Sequence, residues 1–549
     1  MSKLVQYLQE HVTGEVIDTS DAREYFATDA SIFRITPSVI VYPRSTTDVR
    51  KVARFTWQLA ERGKVIPITA RGSGTDLSGG AIGSGIMLVF PAHMHKVMSF
   101  DSGKGEVRIQ PGINFDKLQQ ALHIHGRFLP PYPASINYST VGGAVANNAS
   151  GEKTVKYGSM RSYVDSLEVV LANGDVIVTK RLNRRELRKK KELKTFEGEI
   201  YRSLDDLLES NQDVVSSIAT GPDTNRPVTK NTAGYALHTI KDKDGSFDLT
   251  PLFVGSQGTL GIITEATLGT KSYNPTPLRM GAVFDEISKA ADAVQKILKL
   301  KPSALEMVDK NLLEFVATQN PELLSKILTP PYAPITLLIE FDESSARKRK
   351  HLQKKVEKEM VDLATSLVVP ETEQEHENLW KIRDAASVVW TASTASGRAI
   401  PVVDDAIVAP SVWPALLDHI YAVSEQHGIK PAVWGHVGDG NLHFMPVTDL
   451  GPDANKQRLI RFMHDYYKGV LKLGGSTSAQ HNDGRLRAVY TRAQFGDKAF
   501  DLMMKVKQLF DPHGTLNAGV KIGVSLQDVV GSMRNSYSLD HLYDHLPKS

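Results

Sequence analysis

Three glycine-rich segments in the first half of the chain constrain its fold more than any other feature of the sequence. The first, Arg71 to Gly80, follows a β-branched run at Val65 to Thr69 and holds four glycines, three hydroxyl residues and Asp76. Glycines at this density let successive backbone N–H groups converge on an anion, as a phosphate-binding loop requires. The spacing matches neither the Walker A pattern nor Gly-x-Gly-x-x-Gly, so a plain glycine-rich turn is the alternative.

The second and third glycine-rich segments, Thr140 to Gly158 and Gly255 to Gly261, consist largely of small residues. Small side chains let the backbone approach a flat or bulky ligand closely, and Asn147 and Asn148 offer it hydrogen bonds. A tightly packed junction between a helix and a strand is the alternative. Together the three segments predict a compact site of nucleotide size.

The pattern of the chain changes after Thr270. Before it, short β-branched runs separated by turn residues predict an α+β region. After it, apolar runs such as Ile335 to Phe341 alternate with charged amphipathic stretches, which predicts an antiparallel sheet with helices on one face. The two prolines of Tyr273 to Pro277 suit a linker, so we place a domain boundary near residue 274.

Composition excludes several kinds of chemistry. The chain has no cysteine, which rules out disulfides, a thiolate nucleophile and iron–sulfur clusters held by cysteine. A net charge of +3 is too small to predict nucleic-acid binding. No signal peptide and no apolar stretch near the ~20 residues of a membrane span are evident. We therefore expect a cytoplasmic protein, or one peripheral to the cytoplasmic face of the membrane.

Much of the positive charge lies in one segment, Lys180 to Lys194, with nine basic and two acidic residues. We expect it to form an exposed charged helix inserted in a strand-rich region. Such a helix could dock an anionic membrane surface or an acidic electron-acceptor protein. A helix that is merely solvated is the alternative.

The strongest chemical signal is Gly435 to His443, in which two histidines flank a Gly-Asp-Gly-Asn turn. A hairpin there brings both imidazoles to one end of a sheet, where they suit a divalent transition metal, although two ligands are too few. His481 is the natural third member, and the adjacent Gln480 supplies a weak neutral oxygen ligand. Arg383, in an apparent helix, suits a substrate carboxylate. The alternatives are that the two histidines are paired only incidentally and that Arg383 forms a solvated ion pair.

The order of these motifs, together with Pro130 to Pro133, Lys230 to Leu237, Trp380 to Arg383 and Asp511 to Lys521, resembles one family. It is the FAD-linked oxidases of D-2-hydroxy acids, which includes respiratory D-lactate dehydrogenases, the flavin subunit of glycolate oxidase and D-2-hydroxyglutarate dehydrogenase. The resemblance covers about residues 35 to 525.

The resemblance implies an α+β fold with an FAD-binding domain of the vanillyl-alcohol oxidase and p-cresol methylhydroxylase (PCMH) type and a cap domain with an antiparallel sheet and helices. The expected divisions are an N-terminal helical segment at 1–34, the FAD-binding domain at 35–273, the cap at 274–525 and a tail at 526–549. In relatives with covalent flavin, a histidine of the flavin domain is often the attachment point. Here the loop offers Gly72 and Ser73 and the chain has no cysteine, so we expect noncovalent FAD. The implied FAD contacts are Arg71, Gly72, Ser73, Gly74, Thr75, Ser78, Pro133, Thr140, Gly142, Gly143, Asn147, Gly151, Tyr157, Gly158, Gly258, Gly261, Ile262 and Asn517.

The resemblance also implies the reaction. His481 would take the hydroxyl proton of the substrate, Arg383 would hold its carboxylate, and the Cα hydride would pass to flavin N5. His436 and His443, with or without metal, would polarise the hydroxyl group or stabilise its alkoxide. Electrons would leave to an external quinone, cytochrome or electron-transferring flavoprotein. No oligomeric state is implied.

Two departures from the family pattern stand beside the catalytic histidine. The family glutamate is Gln480 here, which weakens the case for a divalent metal such as zinc or manganese on His436, His443 and Gln480. Asn482 stands where the family has glycine. An oxidase of an aromatic or other alcohol, and a flavin-binding subunit whose active site has decayed, are therefore alternatives.

Overall fold

The computed structural model describes residues 3–220, 226–324, 327–391, 393–394 and 397–543. Its strands are β1 Glu15–Ile17, β2 Val39–Tyr42, β3 Ile68–Arg71, β4 Ile86–Val89, β5 Val97–Asp101, β6 Glu106–Ile109, β7 Arg127–Phe128, β8 Val164–Val170, β9 Val176–Val178, β10 Ile262–Gly269, β11 Lys271–Ser272, β12 Leu278–Phe284, β13 Ala304–Asp309, β14 Ile335–Phe341, β15 Ser366–Val368, β16 Ser393–Thr394, β17 Gly397–Ala399, β18 Ala406–Ile407, β19 Val433–His436, β20 Asn441–Phe444 and β21 Val447–Thr448.

The helices are α1 Lys3–His11, α2 Ser20–Tyr25, α3 Thr46–Ala60, α4 Phe115–His123, α5 Val141–Asn147, α6 Thr154–Tyr157, α7 Arg184–Lys191, α8 Phe196–Ser210, α9 Gln212–Thr220, α10 Thr250–Phe253, α11 Ile287–Leu298, α12 Lys310–Gln319, α13 Pro321–Leu324, α14 Ala346–Met360, α15 Glu373–Thr391, α16 Trp413–Gln426, α17 Asp453–Lys472, α18 Thr491–Phe495, α19 Asp497–Phe510, α20 Leu526–Ser532 and α21 Asp540–Tyr543.

The first half of the chain builds two sheets. In the first, β2, β4 and β3 are parallel and β1 pairs antiparallel with β2, so the N-terminal segment contributes an edge strand as well as helices. The second sheet is antiparallel, in the order β5-β6-β10-β8-β9. Helix α3 begins after Ser45, whose side chain accepts the Asp48 N–H and so caps the first turn.

The second half builds a seven-stranded antiparallel sheet in the order β15-β12-β14-β13-β19-β20-β18. Helices cover both of its faces, not the one face that the sequence predicted. On β14, Leu337 packs in a core with α11 and α16, whereas Leu338 packs in a core with α12 and α15. The physical reason is that every residue of β14 is buried, as in a strand covered on both sides.

A buried charge cluster joins the two halves. Lys153, just before α6, pairs with Glu340 of β14, and Arg279 Nε lies 3.1 Å from the same carboxylate. Burial alone would raise the pKa of Glu340, but these two cations outweigh that effect and lower it. Tyr157 donates a hydrogen bond to Asp342 at 2.6 Å. These contacts hold the second glycine-rich segment against the seven-stranded sheet.

The C-terminal tail lies on the first glycine-rich loop. Tyr537 donates to the Ala30 carbonyl at 2.8 Å, and the Arg534 N–H donates to the Ile32 carbonyl at 3.0 Å. The ring of His541, in α21, lies 3.1 Å from the Gly74 carbonyl. The tail and the N-terminal segment therefore support the outer side of this loop together.

Candidate active site

The glycine-rich segments enclose a cavity with an empty volume of about 780 Å³. Its mainly apolar and backbone lining is typical of cofactor sites. Twelve of the predicted FAD contacts line it: Arg71, Gly72, Ser73, Gly74, Thr75, Thr140, Gly142, Gly143, Asn147, Gly258, Gly261 and Ile262.

Gly72 shows why the first segment needs glycine. A Cβ atom at Gly72 would lie 2.2 Å from Thr140 Oγ1, and Thr140 caps α5 by accepting the Gly143 N–H at 3.2 Å. The loop and the helix thus approach each other more closely than any side chain would allow. Their close contact forms one wall of the cavity.

The cavity holds a buried cation. The Arg71 guanidinium is 2% exposed and donates to the Thr28 carbonyl at 2.8 Å, while Arg71 Nε has no hydrogen-bond partner among the described residues. An arginine beside a glycine loop is a suitable partner for a diphosphate. The lining therefore fits a ligand with an anionic and a flat portion.

The other predicted FAD contacts lie around this cavity. Ser78 hydrogen-bonds to Asp76, and Asn517 donates to the Gly80 and Gln257 carbonyls at 2.8 and 2.7 Å. Pro133 lines a neighbouring cavity. Among the residues outside the lining of either cavity, Gly151 packs on the Tyr132 backbone, Tyr157 binds Asp342, and Gly158 has a positive φ of 71°.

The predicted histidine hairpin is confirmed. Strands β19 and β20 pair so that Trp434 lies opposite His443 and His436 opposite Asn441. The rings of His436 and His443 are 5.3 Å apart, and the His481 ring stacks on that of His443 at 5.1 Å. The structure therefore brings together the three histidines that the sequence singled out.

Two carboxylates that sequence reasoning missed hold the Nδ1 sides of these rings. Glu306 Oε1 lies 2.7 Å from His436 Nδ1, and Asp404 Oδ1 lies 3.1 Å from His443 Nδ1. The second oxygen of Asp404 lies 2.9 Å from His481 Nδ1. In His436 and His443, the carboxylate hydrogen-bonded to Nδ1 favours the tautomer with its proton on that nitrogen and leaves the Nε2 lone pair available. Asp404 and His481 are instead close enough to form an ion pair.

Asp405, also missed, fixes the backbone of residues 479–482, which carry His481 and form the predicted catalytic loop. Its Oδ2 accepts the N–H groups of Ala479, Gln480 and His481 at 2.9, 2.8 and 2.6 Å. The side chain is fully buried, so each of these bonds is shielded from water. The only sequence signal for this pair of acids was their position after the apolar Val402 and Val403.

Burial and charge set the protonation of the histidines. Burial, and then the positive charge of Lys230, lower the pKa of His436 well below the usual range. Burial also lowers the pKa of His443, although Asp404 opposes it. Burial alone would lower the pKa of His481 as well, but Asp404 and Asp405 together outweigh it and raise the pKa. The cluster thus contains two neutral imidazoles and one more basic imidazole.

Arg383 lies next to the cluster, in α15. Its Nε is 3.3 Å from Glu152 Oε2 and 3.6 Å from Glu306 Oε2. Because Glu306 also binds His436, the guanidinium is connected to the histidine pair through one shared carboxylate. Glu152 is fixed by two further bonds, from Trp380 at 3.2 Å and from Tyr132 at 2.6 Å.

His481 faces a second cavity of about 570 Å³. This cavity shares Thr75, Asp76, Gly143 and Asn147 with the cavity of the glycine-rich segments. The two spaces therefore meet at a common wall, and His481 is the histidine of the cluster that lines the second.

Asn482 connects the same segments. It adopts a positive φ of 62°, a conformation that asparagine tolerates better than most residues and that explains how it can stand where the family has glycine. Its side-chain amide donates to the Asn147 and Gly255 carbonyls at 3.1 and 2.9 Å. Asn482 thus ties the catalytic loop to the second and third glycine-rich segments.

The basic segment 180–194 contains α7, whose capping box joins Asn183 and Glu186. Several of its cations pair with acids: Lys180 with Glu186 at 3.0 Å, Arg181 with Asp242 at 2.7 Å, Lys190 with Glu197 at 2.5 Å and Lys191 with Asp205 at 2.6 Å. Much of the charge is thus balanced locally, which favours the interpretation as a solvated helix. Among the described residues, no helix combines the length and the apolar character needed to span a bilayer.

Two family models match the chain. One described as FAD binding domain matches residues 37–180, and one described as FAD linked oxidases, C-terminal domain, matches residues 278–520. The lining of the first cavity falls within the first match except for its residues 257–263, which lie between the two matches. The histidine cluster falls within the second match.

Similar curated proteins span nearly the whole chain. The glycolate oxidase subunit GlcD of Bacillus subtilis (strain 168) is 28% identical over 513 residues, which cover 91% of this chain and 93% of the relative. The D-lactate dehydrogenase of Anaerostipes hadrus is 26% identical, with 94% and 96% covered. The D-2-hydroxyglutarate dehydrogenase of Escherichia coli (strain K12) is 28% identical over 93% of this chain, which spans about half (50%) of that relative.

Solved structures show the same fold. A 4-ethylphenol oxidase from Gulosibacter chungangensis superposes with a TM-score of 0.69 at 14% identity, covering 95% of this chain and 97% of that one. For p-cresol methylhydroxylase the TM-score is 0.67 at 15% identity, with 96% and 97% covered. These similarities confirm the predicted α+β fold with a PCMH-type FAD-binding domain.

Proposed function

Because the chain belongs to the FAD-linked oxidase family, we propose that it oxidises a D-2-hydroxy acid, such as D-lactate, glycolate or a similar acid, to the 2-keto acid. The observation that carries the proposal is the common wall of the two cavities, which sets His481 beside the FAD cavity. The names of the three relatives support a 2-hydroxy acid as the substrate class.

When bound, FAD supplies the two-electron redox chemistry by accepting the hydride that leaves the substrate Cα. The residues of the chain handle the proton and the orientation. His481 takes the hydroxyl proton as the C–O bond becomes a carbonyl, and the Asp404 carboxylate, 2.9 Å from its Nδ1, stabilises the imidazolium that forms. We assign the substrate carboxylate to Arg383, since a guanidinium binds a carboxylate through two parallel bonds. The electrons then leave to an external acceptor, a quinone, cytochrome or electron-transferring flavoprotein.

We also propose that FAD is held noncovalently. The described lining of its cavity contains no histidine, tyrosine or cysteine side chain to which the flavin ring could be attached. Precipitating the protein with acid is expected to leave all of the flavin in the supernatant. Flavin absorbance that stays with the precipitated chain would contradict the proposal.

The function is tested by mixing the purified protein anaerobically with D-lactate, L-lactate, glycolate, D-2-hydroxyglutarate and a benzylic alcohol, and following the visible absorbance of the flavin. We expect a 2-hydroxy acid to bleach it, and the D form of lactate to act faster than the L form. Bleaching by the benzylic alcohol alone would favour an alcohol oxidase. No bleaching, with FAD present, would favour a decayed subunit.

Asp404 is expected to position the base. In Asp404→Asn we expect kcat with the active hydroxy acid to fall about 10- to 100-fold, because the neutral amide no longer stabilises the imidazolium of His481. KM and FAD content should change little, since Asp404 is 1% exposed and can affect the substrate only through the histidines that it contacts. The measurement is steady-state kinetics with an artificial electron acceptor. A fall confined to FAD content or stability would mean that the role is structural.

A further inference from the structure

The carboxamide of Gln480 lies between the two cap histidines. Its nitrogen is 3.1 Å from His436 Nε2 and 3.4 Å from His443 Nε2. Because Glu306 and Asp404 face the Nδ1 atoms of these rings, the Nε2 atoms present lone pairs to the carboxamide. This point between two imidazole lone pairs is where a divalent cation would otherwise sit.

The opposite end of the carboxamide decides which way it points. Gln480 Oε1 accepts the Ser150 hydroxyl at 2.7 Å and Lys230 Nζ at 2.8 Å. Lys230 also donates to Ser150 at 3.1 Å, so the hydroxyl hydrogen is left for Gln480. Two donors require the oxygen at this end, and the NH₂ group must therefore face the histidines. Its two hydrogens match the two Nε2 lone pairs.

We propose that the His436–His443 pair binds no divalent metal and that the NH₂ group of Gln480 occupies the metal position, fixing both rings by hydrogen bonds. The donor set fits a metal poorly, since the two histidines and Gln480 carry no negative charge and Lys230 lies directly behind the carboxamide. Asp404, His443 and His481 also form a group with ligand-type atoms close together, but both oxygens of Asp404 already face imidazole nitrogens. Gln480 is thus a positioning residue. This inference concerns metal content and does not depend on which substrate is oxidised.

The test is metal analysis of the holoenzyme after equilibration with Co²⁺ and removal of free metal. The wild-type protein is expected to retain far less than one ion per chain and to keep its FAD after treatment with EDTA. Gln480→Glu exchanges the NH₂ group for an anionic oxygen of the same size. We expect it to bind about one Co²⁺ per chain, with an affinity about 100-fold or more above that of the wild type.

Gln110→Glu, a glutamine outside the cluster that accepts the Lys96 N–H, is the matched control and should gain no metal. His436→Ala locates any ion that is found. One tightly held ion per wild-type chain that is lost in His436→Ala would overturn the proposal, and so would a Gln480→Glu protein that binds FAD but gains no metal. An ion that persists in His436→Ala lies elsewhere and agrees with the proposal. Because metal content is measured without substrate, failure of the proposed reaction would not be confused with failure of this inference.

Discussion

Replacing His481 with alanine is expected to slow the reduction of bound flavin by substrate about 10²- to 10⁴-fold, the range that a general base contributes. The expectation rests on the position of His481, which lines the cavity adjoining the FAD site and is backed by Asp404. FAD should remain bound, because the described lining of the FAD cavity does not include His481.

The measurement is stopped-flow absorbance of the flavin under anaerobic conditions, with FAD content determined on the same sample. His95→Ala is the matched control, since this histidine is exposed and its ring contacts only the Pro91 carbonyl among the bonds described. An unchanged rate of flavin reduction in His481→Ala would show that His481 is not the base. An equal loss in His95→Ala would point to a general effect of the substitution.

Replacing Gly72 with alanine is expected to weaken FAD binding about 10- to 100-fold. The added Cβ would lie 2.2 Å from Thr140 Oγ1, so Thr140 must move and release its cap on α5. Overpacking of this kind costs about 1–3 kcal/mol, and each 1.4 kcal/mol is about a tenfold change in affinity. This destabilisation would weaken FAD binding, because Gly72 and Thr140 both line the FAD cavity.

The dissociation constant is measured by titrating the apoprotein with FAD and following flavin fluorescence. Gly531→Ala is the matched control, because nothing lies within 4 Å of the added Cβ there. Circular dichroism shows whether the variant keeps its secondary structure. Full FAD occupancy of Gly72→Ala after extensive dialysis would contradict the requirement for glycine.

Short sequence patterns are enough to predict much of the fold and part of the site. The start of α3 lies in such a local pattern, because its cap joins Ser45 and Asp48, which are only three residues apart. The glycines of the first segment indicated a cavity because residues without side chains let the backbone approach a ligand closely. The hairpin that joins His436 and His443 was predictable for the same reason, since its turn lies between the two histidines.

The carboxylates of the site were not predictable in this way. Glu306 reaches His436 across 130 positions of sequence, and Asp405 reaches the catalytic loop across 74 to 76. In the sequence these acids resemble ordinary polar residues next to apolar strands. The helices on both faces of β14 were missed because a short apolar run does not show how many of its faces are covered. Lys230 was visible as part of a motif, but its bond to Gln480 depends on the fold of both halves.

The first glycine-rich loop is synthesised long before Asn517, one of the residues that close it. It donates to the Gly80 carbonyl from 437 positions further along the chain, and Leu516 pairs with Ile68 at the base of the same loop. At about 5–20 residues per second, a ribosome needs roughly 20 to 90 s to make the intervening chain. During that time the loop exists without the residues that close it. We therefore expect the FAD cavity to be completed only after Asn517 has been made.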